Sequence, residues 1–272
     1  EGTGTTSDNA EGTAGRDLTV VAGGWAGAGT FTKGTSTLTL TGSSKNITYT
    51  GNETVQNLTI SGSYTMNDVA GDGWFQPAGN LNISGTLASA GNEGIYMDDR
   101  GTITLTSATI TGLYKIELAH NSGTVSVPAC TTPRLFASYN GTTQATGDLT
   151  FTVELQVGGG TTFNANGNTI HSAELDVNGG TLNLANSTLK FSVSHVHEWN
   201  MSAASTLTTG NTTVTGYSAT QRTPISLPDT SPSASNFEIV GDISNLKAGT
   251  LTDLTVIGSV TNCTTSTSTA II

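Results

Sequence analysis

Charged residues are scarce in this chain, at 11% of the sequence, well under the quarter that is usual for globular domains. The 9 Lys and Arg residues are spread singly, and the formal net charge is −11. Because phosphate backbones and anionic lipids bind clustered basic side chains, we do not expect nucleic acid or anionic membranes as partners. Intrinsic disorder is not expected either, because disordered chains are usually rich in charge and proline and lack regular apolar alternation.

Cysteine and long apolar runs are also nearly missing. The two cysteines, Cys130 and Cys263, fit no metal-binding spacing and are either buried free thiols or one long-range disulfide. A transmembrane helix needs about 20 apolar residues in succession, and no such run occurs, so membrane insertion is not expected. The sequence begins without Met or a signal peptide, and we interpret Glu1 as the start of a processed or truncated chain.

The most informative feature of the sequence is a repeat. Residues 154–166 read ELQVGGGTTFNAN and residues 174–186 read ELDVNGGTLNLAN. A shift of twenty positions places Glu154 on Glu174 and Leu155 on Leu175. A fixed period of this length is typical of repeat proteins, in which each unit buries its apolar face against the next unit. We therefore predict that Leu155 and Leu175 lie one above the other.

The residue types of the repeat favour strands over helices. The segments TLTLTG (37–42), NITYTG (46–51) and NLTISG (57–62) alternate apolar residues with Thr, Ser or Asn and end in Gly. Alternation with period two predicts strands with one buried face. We predict an all-β fold, a β-solenoid (parallel β-helix) with coils of about 20 residues and loop insertions. The alternative is a β-sandwich or jelly roll, because short strands at regular spacing also suit those folds.

The repeat contains one fault. Thr162 and Asn164 fall where the next coil has Leu182 and Leu184, whereas Phe163 has the opposite parity. Either the first coil bulges there or its corner differs.

Changes in regularity along the chain predict six segments. These are a flexible lead-in or cap at 1–16, an N-terminal solenoid part at 17–127, an irregular loop region at 128–148, regular coils at 149–216, a proline-rich loop at 217–236, and terminal strands with a polar tail at 237–272.

Aromatic and acidic residues gather in two insertions of the first half. One insertion exposes Trp74 and Phe75, and the other contributes Tyr96, Asp98 and Asp99. If both lie on one edge, they form an aromatic and acidic patch. Such a patch suits glycan binding, because aromatic rings stack on sugar rings and carboxylates accept hydrogen bonds from hydroxyl groups. The alternative is that the rings pack under their own loops.

Three other groups of residues could carry chemistry. Asp68 and Asp72, beside glycines, resemble a fragment of a calcium loop but lack its full spacing and distal Glu. His195 and His197 alternate on one strand, but no third metal ligand can be named. Three carboxylates of the repeat are predicted to point outward and form a candidate acid cluster, namely Glu154, Glu174 and Asp176. We expect no resident cofactor, with calcium as the only candidate.

The run GTFTKGTSTLTLTGSSKNITYTGNETVQNLTISGS (29–63) resembles the Gly/Thr/Asn-rich β-solenoid repeats of phage and virus fibres and of microbial surface adhesins. The resemblance implies an extracellular location, on a virion or a cell surface, and a structural role. It implies no catalytic residue. The expected partners of the protein are copies of the same chain or other structural proteins of the virion or cell surface, and host-surface carbohydrate.

Three functions agree with these observations. The first is a non-enzymatic structural or adhesion protein of a virion, as a fibre or capsid decoration, or of a microbial cell surface. The second is a self-assembling extracellular filament or surface-layer subunit. The third is a polysaccharide-degrading β-helix, which would require carboxylates about 5–10 Å apart in a groove.

Overall fold

The computed structural model describes residues 18–20, 25–26, 37–69, 73–91, 93–98, 102–105, 108–119, 122–191, 198–202, 204–215, 224–226, 237–240, 243–257 and 260–271. Strands make up all regular structure in these ranges, and no helix occurs among them. The predicted β-solenoid is confirmed, since parallel strands stack at a spacing near 20 residues. The alternative of a β-sandwich is wrong, because that fold is built from antiparallel sheets.

The chain forms two compact units. Unit 1 comprises Glu1–His120 and Cys130–Pro133, and unit 2 comprises Asn121–Ala129 and Arg134–Ile272.

Among its described residues, unit 1 contains fourteen strands and part of one more, which is divided between the units. They are β1 Leu18–Val20, β2 Trp25–Ala26, β3 Thr37–Leu40, β4 Lys45–Tyr49, β5 Glu53–Val55, β6 Asn57–Ile60, β7 Ser63–Asp68, β8 Trp74–Pro77, β9 Leu81–Ile83, β10 Thr86–Ser89, β11 Gly94–Asp98, β12 Ile103–Thr104, β13 Thr109–Thr111 and β14 Ile116–Ala119.

Successive turns of unit 1 add strands to three sheets. The first has the order β1-β3-β6-β9-β12, the second has the order β2-β4-β7-β10-β13, and the third contains β5, β8, β11 and β14. In the first sheet Leu38 pairs with Leu58, Leu58 with Leu81, and Leu81 with Ile103. All four side chains are at most 4% exposed. The alternating sequence therefore forms a stacked apolar column with Thr and Asn on the outer face.

Unit 2 contains the remaining strands and the rest of the divided strand. They are β15 Thr124–Val127, β16 Cys130–Ser138 (divided between the units), β17 Thr142–Ala145, β18 Leu149–Gly158, β19 Thr162–Asn164, β20 Thr169–Asn178, β21 Thr181–Asn183, β22 Thr188–Phe191, β23 Glu198–Met201, β24 Thr206–Thr208, β25 Thr212–Thr215, β26 Pro224–Ser226, β27 Phe237–Val240, β28 Ile243–Ile257 and β29 Val260–Ile271.

Two ten-residue strands form the centre of unit 2. β18 pairs with β20 in parallel, with one shift of register between Phe151 and Glu154. The first half of β20 then pairs with β22 and the second half with β23. A separate sheet in the order β15-β17-β19-β21-β24 completes each coil.

The twenty-residue repeat stacks as the sequence predicts. Leu155 pairs with Leu175 and Val157 with Val177. All four side chains are at most 1% exposed. The prediction that positions twenty residues apart lie directly above one another is therefore confirmed at this stretch.

The fault in the repeat comes from a corner of different length. Phe163 pairs with Leu182, nineteen residues later. The corner before β19 contains residues 159–161, whereas the corner before β21 contains only residues 179–180. The additional residue, Thr161, is buried, and its hydroxyl group donates a hydrogen bond to a backbone carbonyl of the preceding turn. Of the two explanations, the differing corner is the correct one.

Three of the predicted segments differ from the structure. The region 128–148, predicted as an irregular loop, contains β16 and β17, because its apolar residues alternate despite the prolines. The proline-rich segment 217–236 contains β26, and its other residues lie outside the described ranges. The polar tail forms β29, which pairs with β28. The lead-in at 1–16 lies outside the described residues.

Cys130 is a free thiol in this structure. Burial raises the pKa of its thiol group to about 11, so the unreactive protonated form dominates near neutral pH.

Candidate functional site

The insertion that ends at β8 presents one aromatic residue on each side of the strand. Trp74 is partly exposed, whereas Phe75 is 1% exposed and packs edge-on against Tyr49 with 5.7 Å between ring centroids. Neighbouring residues of a strand point to opposite faces. The prediction that Phe75 is exposed is therefore wrong, and Phe75 belongs to the core.

Trp74 and Tyr96 lie together on the outer face of the third sheet of unit 1. Their ring centroids are 6.2 Å apart and the rings meet edge to face at 78°. Trp74 is the register partner of Gly94, and a Cβ atom added to Gly94 would lie 2.6 Å from Cζ3 of the indole. The indole therefore covers the backbone of the next turn, and a glycine is needed beneath it.

A cation from the following turn adjoins this pair. Nζ of Lys115 is 4.9 Å from the Trp74 ring centroid and 5.9 Å from that of Tyr114. The same Nζ forms an ion pair of 2.8 Å with Glu117. Tyr114 is 43% exposed. Cation–π contacts of this kind help to fix an aromatic ring.

We call this group the aromatic surface. It consists of Trp74, Tyr96, Tyr114, Lys115 and Glu117.

Sequence reasoning missed three members of the aromatic surface. Tyr114, Lys115 and Glu117 lie one turn after Tyr96, and Glu117 is the register partner of Tyr96. The signal was the polar alternation around β14, read with an interval of 21 residues between Tyr96 and Glu117. That interval cannot be chosen from the sequence alone, because insertions change the length of the turns in this unit.

The acidic half of the predicted patch lies outside what the structure describes. The backbone of Asp98 ends β11, but its side chain is not described, and Asp99 is outside the described ranges. Of the five residues predicted to bind glycan, the structure brings Trp74 and Tyr96 together on one surface.

Asp68 lies at the corner that precedes Trp74, where it is 5% exposed. Its Oδ1 accepts a hydrogen bond of 2.9 Å from the backbone N–H of Gly51, and its Oδ2 accepts one of 2.6 Å from the N–H of Gly73. The hydroxyl group of Tyr49 donates to the carbonyl of Gly73 at 3.2 Å. The backbone before Trp74 is therefore bound on both its donor and its acceptor side.

Glu93 lies at the corresponding corner one turn later and is 2% exposed. Its Oε1 accepts a 3.0 Å hydrogen bond from the N–H of Asp68, and its Oε2 accepts bonds from the Ser89 hydroxyl and, at 2.8 Å, from the N–H of Gly91. Burial acts to raise the pKa of the Glu93 carboxyl, but these hydrogen bonds outweigh it and hold the pKa below its ordinary value.

The same two carboxylates affect Tyr49. Burial, followed by the charges of Glu93 and Asp68, raises the pKa of the Tyr49 hydroxyl well above its ordinary range. Tyr49 is thus a neutral hydrogen-bond donor at this corner.

Asp68, predicted as a calcium ligand, forms hydrogen bonds with the backbone. Both of its carboxylate oxygens accept backbone hydrogen bonds. Asp72 lies outside the described residues. In the described part of the chain, no three His, Cys, Asp or Glu side chains gather in a way that could hold a metal ion.

The carboxylates of the repeat point outward, as predicted. Glu154 is the register partner of Glu174, and its carboxylate lies 3.7 Å from the guanidinium of Arg134. Asp176 accepts a 3.1 Å hydrogen bond from the side-chain amide of Gln156. These contacts join polar side chains of successive turns on the outer face of the sheet.

The histidine pair falls outside the described residues, which omit 192–197. Trp199, and not a histidine, pairs with Leu175 and is fully buried. The turn from Leu175 to Trp199 is therefore longer than twenty residues.

No protein-family model, curated protein or solved structure matches this chain. Over the residues described, the chain contains no helix that is long and apolar enough to cross a bilayer.

Proposed function

We propose that this chain is a non-enzymatic structural or adhesion protein, exposed on a virion or a microbial cell surface, whose aromatic surface binds glycans. The observation that carries the proposal is the outward pair of Trp74 and Tyr96 beside the ion pair of Lys115 and Glu117. The stacked coils provide a rigid support, and the insertions provide the residues that contact the ligand.

The chemistry of the aromatic surface suits a saccharide. The C–H faces of a pyranose ring pack on indole and phenol rings, while its hydroxyl groups need nearby donors and acceptors. The Lys115 ammonium supplies donors and the Glu117 carboxylate supplies acceptors within the same patch. Gln76 and Thr54, whose side chains are hydrogen-bonded to each other, add neutral polar groups on adjoining turns.

Charge favours a neutral glycan over an acidic one. The positive charge of Lys115 is balanced by Glu117 at 2.8 Å. The whole chain has a formal net charge of −11, which opposes the approach of an anionic ligand. We therefore propose hexoses or N-acetylhexosamines without carboxylate or sulfate as the ligand class.

A glycan array containing neutral, sialylated and sulfated glycans tests this proposal directly. The purified chain is compared with Trp74→Ala and Tyr96→Ala. Tyr139→Asn is the control, because Tyr139 is a 48% exposed tyrosine of unit 2 and its φ of 69° suits Asn. We expect each aromatic deletion to weaken binding by about tenfold, since a stacked ring contributes ~1.5 kcal/mol, and the control to bind like the unmodified chain.

Three results would contradict the proposal or its ligand class. Equal binding by the chain and both aromatic variants would show that the aromatic surface is not the site. If no form of the chain binds any glycan, the proposal that the ligand is a glycan is wrong. Preference for acidic glycans, with affinity that falls steeply as salt rises, would contradict the neutral ligand class.

A further inference from the structure

We infer that the buried carboxylates of Asp68 and Glu93 are positioning residues for the aromatic surface, holding Trp74 and Gly94 in the arrangement that a ligand meets. This inference rests on the proposed function for its purpose. Its structural content, the dependence of the Trp74 side chain on two carboxylates, can be tested without any glycan.

Asp68 fixes the chain immediately before Trp74. Its Oδ2 holds the N–H of Gly73 at 2.6 Å, and a Cβ atom added to Gly73 would lie 2.7 Å from that oxygen. The N–H of Trp74 itself donates to Oδ1 of Asn52 at 3.1 Å. The N–H groups of Gly73 and Trp74 are thus both bound by side-chain acceptors. These bonds fix the backbone at Trp74 and therefore the direction in which its side chain points.

Glu93 fixes the chain immediately before Gly94, the residue beneath the indole. It receives hydrogen bonds from Ser89 and Gly91, which close the corner between β10 and β11. It also accepts a 3.0 Å hydrogen bond from the backbone N–H of Asp68. The two corners are therefore joined through Asp68, whose backbone binds Glu93 and whose side chain binds Gly73.

Carboxylates suit both places because each of their described hydrogen-bond partners is a donor. A backbone N–H or a hydroxyl hydrogen meets each bonded oxygen. An ionised carboxylate is an acceptor at both oxygens, whereas an amide replaces one of them with an NH₂ group. Asp68→Asn and Glu93→Gln preserve size but turn one donor–acceptor contact into a donor–donor contact.

The test measures how accessible Trp74 is to a quencher. Each chain is measured with and without the additional substitution Trp74→Phe, and the fluorescence difference is the Trp74 signal. This subtraction removes the signals of Trp25 and Trp199, and acrylamide quenching is then calculated for Trp74 alone. We expect quenching of Trp74 to increase in Asp68→Asn and in Glu93→Gln. Asp148→Asn is the matched control, since Asp148 accepts a 2.7 Å bond from the N–H of Thr169 on an exposed part of unit 2. Its Trp74 quenching should equal that of the unmodified chain.

Ser89→Ala provides a milder variant in case the amide variants do not fold. It removes one hydrogen bond to Glu93 and leaves the charge in place, and we expect a smaller increase in Trp74 quenching. Far-UV circular dichroism verifies that each variant is folded. Unchanged quenching in every folded variant among these three would overturn the inference.

The result is separable from that of the glycan array. If quenching increases but no form of the chain binds a glycan, the positioning role stands and the proposed function fails. If the unmodified chain binds a glycan while quenching is unchanged in Asp68→Asn and Glu93→Gln, the proposed function stands and the positioning role fails.

Discussion

At the scale of single residues, the corner carboxylates show how burial and hydrogen bonding compete. Glu93 is almost fully buried, which by itself favours the neutral acid. Hydrogen bonds from Ser89 and from backbone amides favour the charged form more strongly, and the pKa of the Glu93 carboxyl is lowered. The ionised side chain therefore contributes to the stability of the fold.

This balance predicts how stability depends on pH. A carboxyl whose pKa is lower in the folded chain than in the unfolded chain stabilises the fold fully above its unfolded value. That contribution is lost as pH falls through the folded pKa. We expect the stability difference between the chain and Glu93→Gln to be largest above pH 4.5, the ordinary value, and to shrink at lower pH.

Thermal unfolding from neutral pH down to about pH 3 measures this dependence. Glu174→Gln, at an exposed position, controls for the loss of one carboxylate. A difference for Glu93→Gln that stays constant, or that grows as pH falls below 4.5, would show that the charged form of Glu93 does not stabilise the fold.

The aromatic surface was only partly predictable at this scale. Trp74 and Tyr96 stood out as aromatic residues in insertions, and both lie on the outer face. The opposite orientation of Phe75 follows from strand alternation, but only once β8 is known to include it. Lys115 joins the surface through a pairing one turn later, and the sequence does not reveal the length of that turn.

At the scale of structural elements, the corners of unit 1 decide how closely successive turns approach. A Cβ atom added to Gly62 would lie 1.9 Å from the carbonyl oxygen of Gly42, and one added to Gly85 would lie 1.9 Å from that of Gly62. These contacts involve backbone atoms, which cannot move aside as a flexible side chain can. Glycine is required here for close approach between turns.

We expect Gly85→Ala to destabilise the chain by about 2–3 kcal/mol, because an inserted methyl group in a closed space forces the backbone apart. Gly210→Ala is the matched control, since a Cβ atom there meets nothing within 4 Å. The midpoint of urea unfolding should fall for the first variant and stay nearly unchanged for the second. Equal midpoints for the two variants would contradict close approach at this corner.

The length of the corners also limits what the period can predict. The strands at Leu155 and Leu175 follow the twenty-residue period, but the next strand follows a nineteen-residue interval because Thr161 is an additional corner residue. Insertions lengthen other turns, as between Leu175 and Trp199. The type of element was therefore readable from apolar alternation, whereas the pairing of each strand depended on the corners between them.

At the scale of the whole molecule, apolar residues of successive turns form continuous columns inside each unit. The columns explain how a chain with few charges and few aromatic residues folds, since each turn buries its apolar side chains against its neighbours. They also explain why the fold class could be predicted from periodicity, while the ligand could not. The outer face is free to vary as long as the inner face keeps its alternation.

A disulfide cross-link between register partners tests this stacking most directly. Gln156 and Asp176 pair on the outer face, and their side chains are 3.1 Å apart in a hydrogen bond. In a background with Cys130→Ala and Cys263→Ala, we introduce Gln156→Cys with Asp176→Cys. The control combines Gln156→Cys with Glu174→Cys, which lies diagonally across the strands at about 7–8 Å and is too distant to bridge.

After mild oxidation, mass spectrometry of the digested chain identifies linked peptides. We predict that the 156–176 pair is bridged in most molecules and that the 156–174 control is not. No bridge in the first variant, or equal bridging in both, would contradict the stacking of turns twenty residues apart.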